Sequence, residues 1–297
     1  MPIPYSAEKV DLYFPAKRAA FFPNGRPVSD AALCVEMARL AYCQLDGTFP
    51  FDQPAIRKIL GRIGFTQCAF FEHPVGANGG GSHGLLALDA KANLAVLAFR
   101  GTNASDPTDI MDDFDAVPNP WPPGGHVSSG FANAFMVLWD QQGLEKAVQQ
   151  IKGYDLLLTG HSLGAAMATL AASLVTPKSL YTIGSPRVGD AALVKTLSGL
   201  DNHRYVDCCD MVARVPPAGF LGYQHIPGQI HYIASDRTLS LRDPSNAIDA
   251  GFMASDQADA EIDYLKNYAW RIGDVAVRAL ADHAPVNYVL PVTAATP

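Results

Sequence analysis

The sequence predicts an α/β fold, a central mostly parallel sheet flanked by helices. Three observations carry that prediction. Apolar runs of strand length alternate with helical patterns from about residue 82 onward. One such run, YDLLLTG, passes through Gly160-His161-Ser162-Leu163-Gly164 directly into a helix of small residues. The 297 residues are 48% hydrophobic and 17% charged, the balance of a globular chain long enough to bury a core without disulfide staples. No internal repeat occurs, and a single domain over 1–297 is expected.

The aromatic and Pro-rich N-terminal segment is expected to wrap a later core. Residues 29–45 place Leu33, Met37, Leu40 and Ala41 at helical spacing, with Ser29 or Asp30 as cap. A second helix is expected over 52–62. SHGLLALDAKANLAVLAFRG reads as two strands about a polar turn at Asp89 to Asn93. Residues 130–153 read as one helix, with Phe131, Phe135, Leu138 and Trp139 on one side. Then come a strand (154–160), a helix (163–175), a strand (178–186), a helix (191–200), and strands at 203–210 and 229–234. A long helical pattern runs from Asp256 to Leu280. Gly79-Gly80-Gly81 is not a phosphate loop, because no Gly-Lys-Ser/Thr and no helix follow it.

Ser162 sits where a buried strand turns sharply into a helix. The backbone folds back on itself there, so its neighbours must be nearly free of side chain, and Gly160 and Gly164 meet that need. Such a turn lifts the serine Oγ clear of the sheet and aims a helix N-terminus at it, the arrangement of a nucleophile elbow. The helix N-terminus favours a developing oxyanion. A serine hydroxyl needs a histidine to take its proton and a carboxylate to hold that histidine. In sheets of this kind the order is Ser, acid, His. Asp210 ends the strand HRYVDCCD and is favoured over Asp207, which lies within it. Of the later histidines, His203 precedes the acid, and His225 and His231 fall in a hairpin region. His283, on a loop near the C-terminus, fits the order best.

Net charge is −7, and no long basic run appears, so nucleic acid is not expected as a partner. No apolar run reaches membrane-spanning length. The N-terminus has no basic start followed by an apolar core, and so does not read as a secretory signal. The cysteines are Cys34, Cys43, Cys68, Cys208 and Cys209, an odd number without zinc spacing. They read as reduced thiols in a cytoplasmic protein, with leaderless export as the alternative.

Taken together, the motifs resemble those of the class 3 lipases, a fungal-lipase-like α/β-hydrolase family. LAFRGT (97–102), VSSGFANAF (127–135), LLLTGHSLGAAMATLAA, LYTIGSPRVGD (180–190), CDMVARVPP (209–217) and DHAPVNYV (282–289) match in order over about residues 80 to 290. The resemblance implies Ser162, Asp210 and His283 as the triad, and Thr102 and Leu163 as donors of the oxyanion hole. It implies cleavage of acylglycerol esters through an acyl-enzyme, with no metal or organic cofactor. A phospholipase A1 and a carboxyl or feruloyl esterase share that chemistry. A non-catalytic lipid-binding module is the alternative of a different class. The expected partner is a lipid or other ester, met at a lipid–water interface.

The segment after Thr102 (about 103–125) matches the family's lid. Ile110, Met111 and Phe114 would form its apolar face, opposite Asp112, Asp113 and Asp115. A calcium site is not expected there, as the EF-hand ligand pattern is absent. The acid and base are 73 residues apart, long for the family. The extra length falls at about 235–270, as a cap shaping substrate access or as inert decoration.

Overall fold

The computed structural model describes residues 5–295, apart from 15, 17–19, 46–49, 76–79, 103–114, 218 and 272. Its strands are β1 (Gln67–Val75), β2 (Gly80–Asp89), β3 (Leu94–Phe99), β4 (Pro118–Pro120), β5 (His126–Ser128), β6 (Asp155–His161), β7 (Ser179–Ile183), β8 (Asn202–Asp207), β9 (Gln229–Ile233) and β10 (Leu239–Arg242). The helices are α1 (Lys9–Tyr13), α2 (Asp30–Leu40), α3 (Gln53–Arg62), α4 (Ser129–Met136), α5 (Leu144–Gln150), α6 (Leu163–Leu174), α7 (Ala191–Thr196), α8 (Ala247–Tyr268), α9 (Arg278–Ala281) and α10 (Pro285–Ala294).

Eight strands form one sheet in the order β1-β2-β3-β6-β7-β8-β9-β10. The strands from β3 to β9 run parallel in that order, and antiparallel pairs flank them on both edges. β4 and β5 form a separate ribbon. Alternation along the central strands divides the core in two. Val96, Ala98 and Leu157 face one layer, with Leu33, Met37 and Leu40 of α2 and Tyr288 and Val292 of α10. Ala95, Leu97, Phe99, Leu156 and Leu158 face the other, with Phe131 and Phe135 of α4 and Met167 and Leu170 of α6.

Ser29 caps α2 by accepting from the Ala32 N–H, and Asp52 caps α3 through Ala55. The N-terminal segment wraps the C-terminal one. Ser6 and Asn287 exchange two hydrogen bonds at 2.8 Å, and Ala276 N–H donates to the Ala7 carbonyl at 2.9 Å.

Two expectations are corrected. The pattern over 130–153 is not one helix: a π turn at Val137–Gln141 and Gly143, at φ 80°, break it into α4 and α5. The break lets Leu138 and Leu144 both face the core. The long C-terminal helix is α8, which begins at Ala247, where Asn246 caps it, and ends at Tyr268. Past Gly273, at φ 107°, the short α9 follows. β1 was not expected from the sequence; its PV end and charged positions obscure the alternation.

The elbow turns on two close approaches. A Cβ on Gly160 would lie 2.7 Å from the Ala165 nitrogen, and one on Gly164 would lie 2.7 Å from the Phe99 carbonyl carbon. We predict that Gly164→Ala destabilises the protein by about 3 kcal/mol or more, because backbone rather than a flexible side chain must move. Gly61→Ala in α3, where a Cβ meets nothing within 4 Å, is expected instead to stabilise by about 0.5–1 kcal/mol. Urea unfolding midpoints of the two variants check both signs.

Candidate active site

The site lies at the C-terminal ends of β6, β7 and β8, where an open α/β sheet leaves its crevice. Ser162 follows β6 at φ 58° and ψ −127°, a conformation that side chains rarely adopt. It is fixed from both sides. Its N–H donates to the Ile183 carbonyl at 3.0 Å, and its own carbonyl accepts from Ala165 at 2.9 Å as α6 begins. Leu163 is the first residue of that helix.

Asp210 sits in the loop just past β8 and His283 in the turn between α9 and α10. His283 Nδ1 lies 3.1 and 3.0 Å from the two Asp210 oxygens. Asp210 is completely buried, yet its carboxylate is fully engaged. Oδ1 accepts from the Val212 N–H at 2.8 Å, and Oδ2 accepts from the Tyr288 hydroxyl at 2.5 Å. Burial alone would raise the Asp210 carboxyl; the charge and hydrogen bond of His283 and the Tyr288 hydroxyl outweigh it and hold the group below its ordinary value. With Nδ1 pointed at a carboxylate, the lone pair of the neutral imidazole form falls on Nε2. That atom is buried and has no hydrogen-bond partner among the described residues. No hydrogen bond joins it to Ser162 in this conformation.

A second polar chain runs underneath. His161 Nε2 is 2.7 Å from the His283 carbonyl, which can only accept, so Nε2 carries the hydrogen. Nδ1 is then the acceptor for the Tyr42 hydroxyl, also at 2.7 Å. The His161 and His283 rings lie 4.4 Å apart. Burial, and then the His283 charge, hold His161 well below the ordinary histidine value, so it stays neutral. Two glycines make room. A Cβ on Gly184 would lie 2.7 Å from Asp210 Oδ2 and 3.1 Å from His283 Nδ1. One on Gly101 would lie 2.9 Å from the Ser162 Cβ, which brings the chain at Thr102 past the serine.

The other sequence candidates lie elsewhere. Asp207 binds Arg237 Nη1 at 2.8 and 3.0 Å. His225 contacts the Ala213 carbonyl, and His203 and His231 pair with each other at 3.0 Å across β8 and β9. Ile110, Met111 and Phe114 lie outside the described residues, as does all of 103–114. The remainder of the segment read as a lid is held down: β4 pairs with β5, and buried Trp121 donates from Nε1 to Ser173 at 2.8 Å. Tyr42, Tyr288, Gly101 and Gly184 escaped the sequence reading. For Tyr288 a signal was present, since it stands in the same DHAPVNYV stretch as His283.

The family model described as lipase (class 3) matches residues 96–220, the stretch that carries the elbow, Thr102 and Asp210. The secreted mono- and diacylglycerol lipase A of Penicillium cyclopium is 36% identical over 167 residues. Over this stretch the chain is similar to the class 3 lipases. That match covers 53% of this chain and 54% of the relative, so the chain spans about half the length of the curated relatives it matches. Lipase II from Rhizopus niveus superimposes at a TM-score of 0.51 with 25% identity, over 68% of this chain and 77% of that one. The fold is shared with the Rhizomucor miehei triacylglyceride lipase at a TM-score of 0.56 and 20% identity, over 90% of this chain and 99% of that one.

These relatives correct one expectation. The matched lipases of Penicillium cyclopium and Malassezia globosa are named as secreted, which points to the extracellular space and overturns the cytoplasmic reading. No described helix is long and apolar enough to cross a membrane.

Two measurements test the electrostatics. Tyr288→Phe removes a hydrogen bond to the Asp210 carboxylate and is expected to cost about 1.5–3 kcal/mol of stability, as bonds to charged groups do. Neutral, buried His161 gives a sign for pH. Below the unfolded value of about 6.5 the unfolded chain takes a proton that the folded chain refuses, so stability falls as pH drops. His225, likewise held low by burial, acts in the same direction. His161→Gln is therefore expected to flatten, not abolish, the loss of the urea midpoint between pH 7.5 and 5.

Proposed function

We propose that this chain is a serine-dependent carboxylic ester hydrolase that cleaves acylglycerols. Ser162 is the nucleophile, His283 the base and Asp210 its acid. The backbone N–H groups of Thr102 and Leu163 form the oxyanion hole. The observation that carries this reading is the Asp210–His283 pair, packed on His161, the chain neighbour of a serine in a strained elbow, with Nε2 without a partner among the described residues. The single domain spans 1–297, with a lid within about 103–125.

The reaction follows from that geometry. His283 Nε2 takes the Ser162 proton as Oγ attacks the ester carbonyl. The tetrahedral oxyanion collects the Thr102 and Leu163 N–H groups. Asp210 holds the imidazolium that forms. His283 returns the proton to the departing alcohol, leaving the acyl group on Ser162. Water then gives a proton to His283 and attacks the acyl-enzyme, and the fatty acid and free serine result. The missing Ser162–His283 bond is expected to tighten when substrate binds. Ser162 and His283 are only 2% and 1% exposed, so covering chain must move before an ester reaches them. An acylglycerol substrate is supported by the relatives named mono- and diacylglycerol lipases. The neutral, buried Tyr42–His161 chain holds the His283 backbone and so the base.

The test is hydrolysis of p-nitrophenyl esters from acetate to palmitate, and of emulsified mono-, di- and triacylglycerols and phospholipid. Ser162→Ala is expected to lose on the order of 10⁴-fold or more of kcat, and Asp210→Asn about 10⁴-fold. A fluorophosphonate probe is expected to label Ser162 in the folded protein. Failure to label would leave a lipid-binding module. A preference for phospholipid or for short aryl esters would replace the acylglycerol with one of those substrates.

A further inference from the structure

Cys208 and Cys209 are the two central residues of the turn that ends β8, closed by the Asp210 N–H donating to the Asp207 carbonyl at 3.1 Å. Their sulfurs lie 3.5 Å apart. The turn is tied down on every side. The Cys208 N–H donates to Asp207 Oδ1 at 2.8 Å, and the Cys209 N–H to Asp282 Oδ2 at 3.1 Å. Arg214 donates to the Cys208 carbonyl at 2.7 Å. The Cys208 thiol itself lies 3.3 Å from Asp282 Oδ2. Helix α8 lies against the pair: buried Ala260 belongs to the same apolar cluster as both cysteines, with Met253 packed against that cluster, and the Cys209 thiol lies 3.9 Å from the Gln257 carbonyl. The chain neighbour of Cys209 is Asp210, and the chain neighbour of Asp282 is His283. Ester cleavage uses none of the thiols.

Cys208, Cys209 and Asp282 offer three donor atoms within 4.8 Å of one another, the grouping of a soft-metal site. A cation already stands there. Arg278 pairs with Asp282 at 2.8 Å and donates to the Cys208 sulfur at 3.4 Å. A metal ion would set a second positive charge against it. The Cys208 thiol donates to the Cys209 sulfur at 3.5 Å, and that hydrogen bond holds the Cys209 thiol below its ordinary value, so Cys209 is the sulfur that attacks an oxidant.

We propose that Cys208 and Cys209 form a vicinal dithiol that peroxide oxidises to a disulfide, and that the disulfide form shuts off the hydrolase by displacing Asp210 and Asp282. The inhibitory half of this rests on the reading of Asp210 and His283 as acid and base. One thiolate attacks a peroxide oxygen, giving a sulfenic acid and a hydroxide that takes up the thiol's proton as water. The second thiol then attacks the sulfenic sulfur, forms the S–S bond and expels a second water. Two electrons pass from the dithiol to one peroxide.

Ring closure must bend the turn. The sulfurs close from 3.5 Å to about 2.05 Å. Adjacent Cα atoms are only about 3.8 Å apart across a trans peptide, whereas disulfides ordinarily join Cα atoms roughly 4.4–6.8 Å apart. The Cys209 N–H bond to Asp282 and the Cys208 S–H contact to it both lie within the ring that distorts. Strained disulfides are readily reduced, so the change is reversible.

The experiment treats the full chain with hydrogen peroxide, then reads the mass of the peptide carrying residues 208–209 and the hydrolysis of a p-nitrophenyl ester. The expected result is loss of two hydrogens in that peptide, with activity down about 10²-fold, the order that a misplacement of about 1 Å produces. Dithiothreitol is expected to restore both. Cys209→Ser, which keeps Cys34, Cys43 and Cys68, is expected to retain its activity in peroxide. Should that variant fold poorly, phenylarsine oxide on the native protein serves instead. It bridges paired thiols, and inhibition reversed by a dithiol but not by a monothiol is expected. A peptide that keeps both hydrogens, or an intramolecular disulfide formed with activity unchanged, overturns the proposal. If Ser162→Ala keeps full activity, the hydrolase reading fails, while the peptide mass still reports on the dithiol.

Discussion

Everything at the site depends on how closely the chain passes itself around Ser162. Gly160 and Gly164 let the end of β6, the start of α6 and the end of β3 touch backbone to backbone. Gly101 lets the next stretch of chain pass the serine, where a Cβ would lie 2.9 Å from that of Ser162. Any side chain at these points would push α6 off the sheet. With none, the serine is forced to φ 58°, and two backbone hydrogen bonds hold it there. The strain is local, and the packing of α6 against β6 and β7 offsets it.

The proposed acid and base reach the serine from far along the chain, and buried polar groups hold them. Asp210 carries a charge in a dry place because His283, Tyr288 and the Val212 N–H all point at it. His161 does the opposite work, staying neutral to link Tyr42 on one side with the His283 carbonyl on the other. A charged carboxylate with full hydrogen bonding and an uncharged imidazole with two partners are the cheap states of each group when buried.

The length between Asp210 and His283 is spent on the β9–β10 hairpin and on α8. Its inner face seals the Cys208–Cys209 turn, while Ile248, Ile262 and Leu265 lie exposed on the outside. The segment packs against the turn from which Asp210 emerges. The N-terminal segment braces the same region, where Tyr5 donates to Asp282 at 2.8 Å.

The sequence by itself determined the alternation of strands and helices, the elbow and the order of serine, acid and histidine. These are local properties: a period of two or of about 3.6, and two glycines flanking a serine, are written in adjacent residues. The choice of Asp210 over Asp207 rested on position along β8, and the structure parts the two by partner, His283 for one and Arg237 for the other. The breaks at Gly143 and Gly273 were misread because a glycine within an apolar period leaves the period intact while its φ turns positive. Only the tertiary structure decided that Tyr42, Gly184 and Tyr288 belong beside the acid and base, and that the paired cysteines lie under α8. Tyr42 meets His161 across 119 residues, and Tyr288 meets Asp210 across 78. A contact of that range leaves no periodic trace in either segment, because it is made by the folding of the sheet that lies between them.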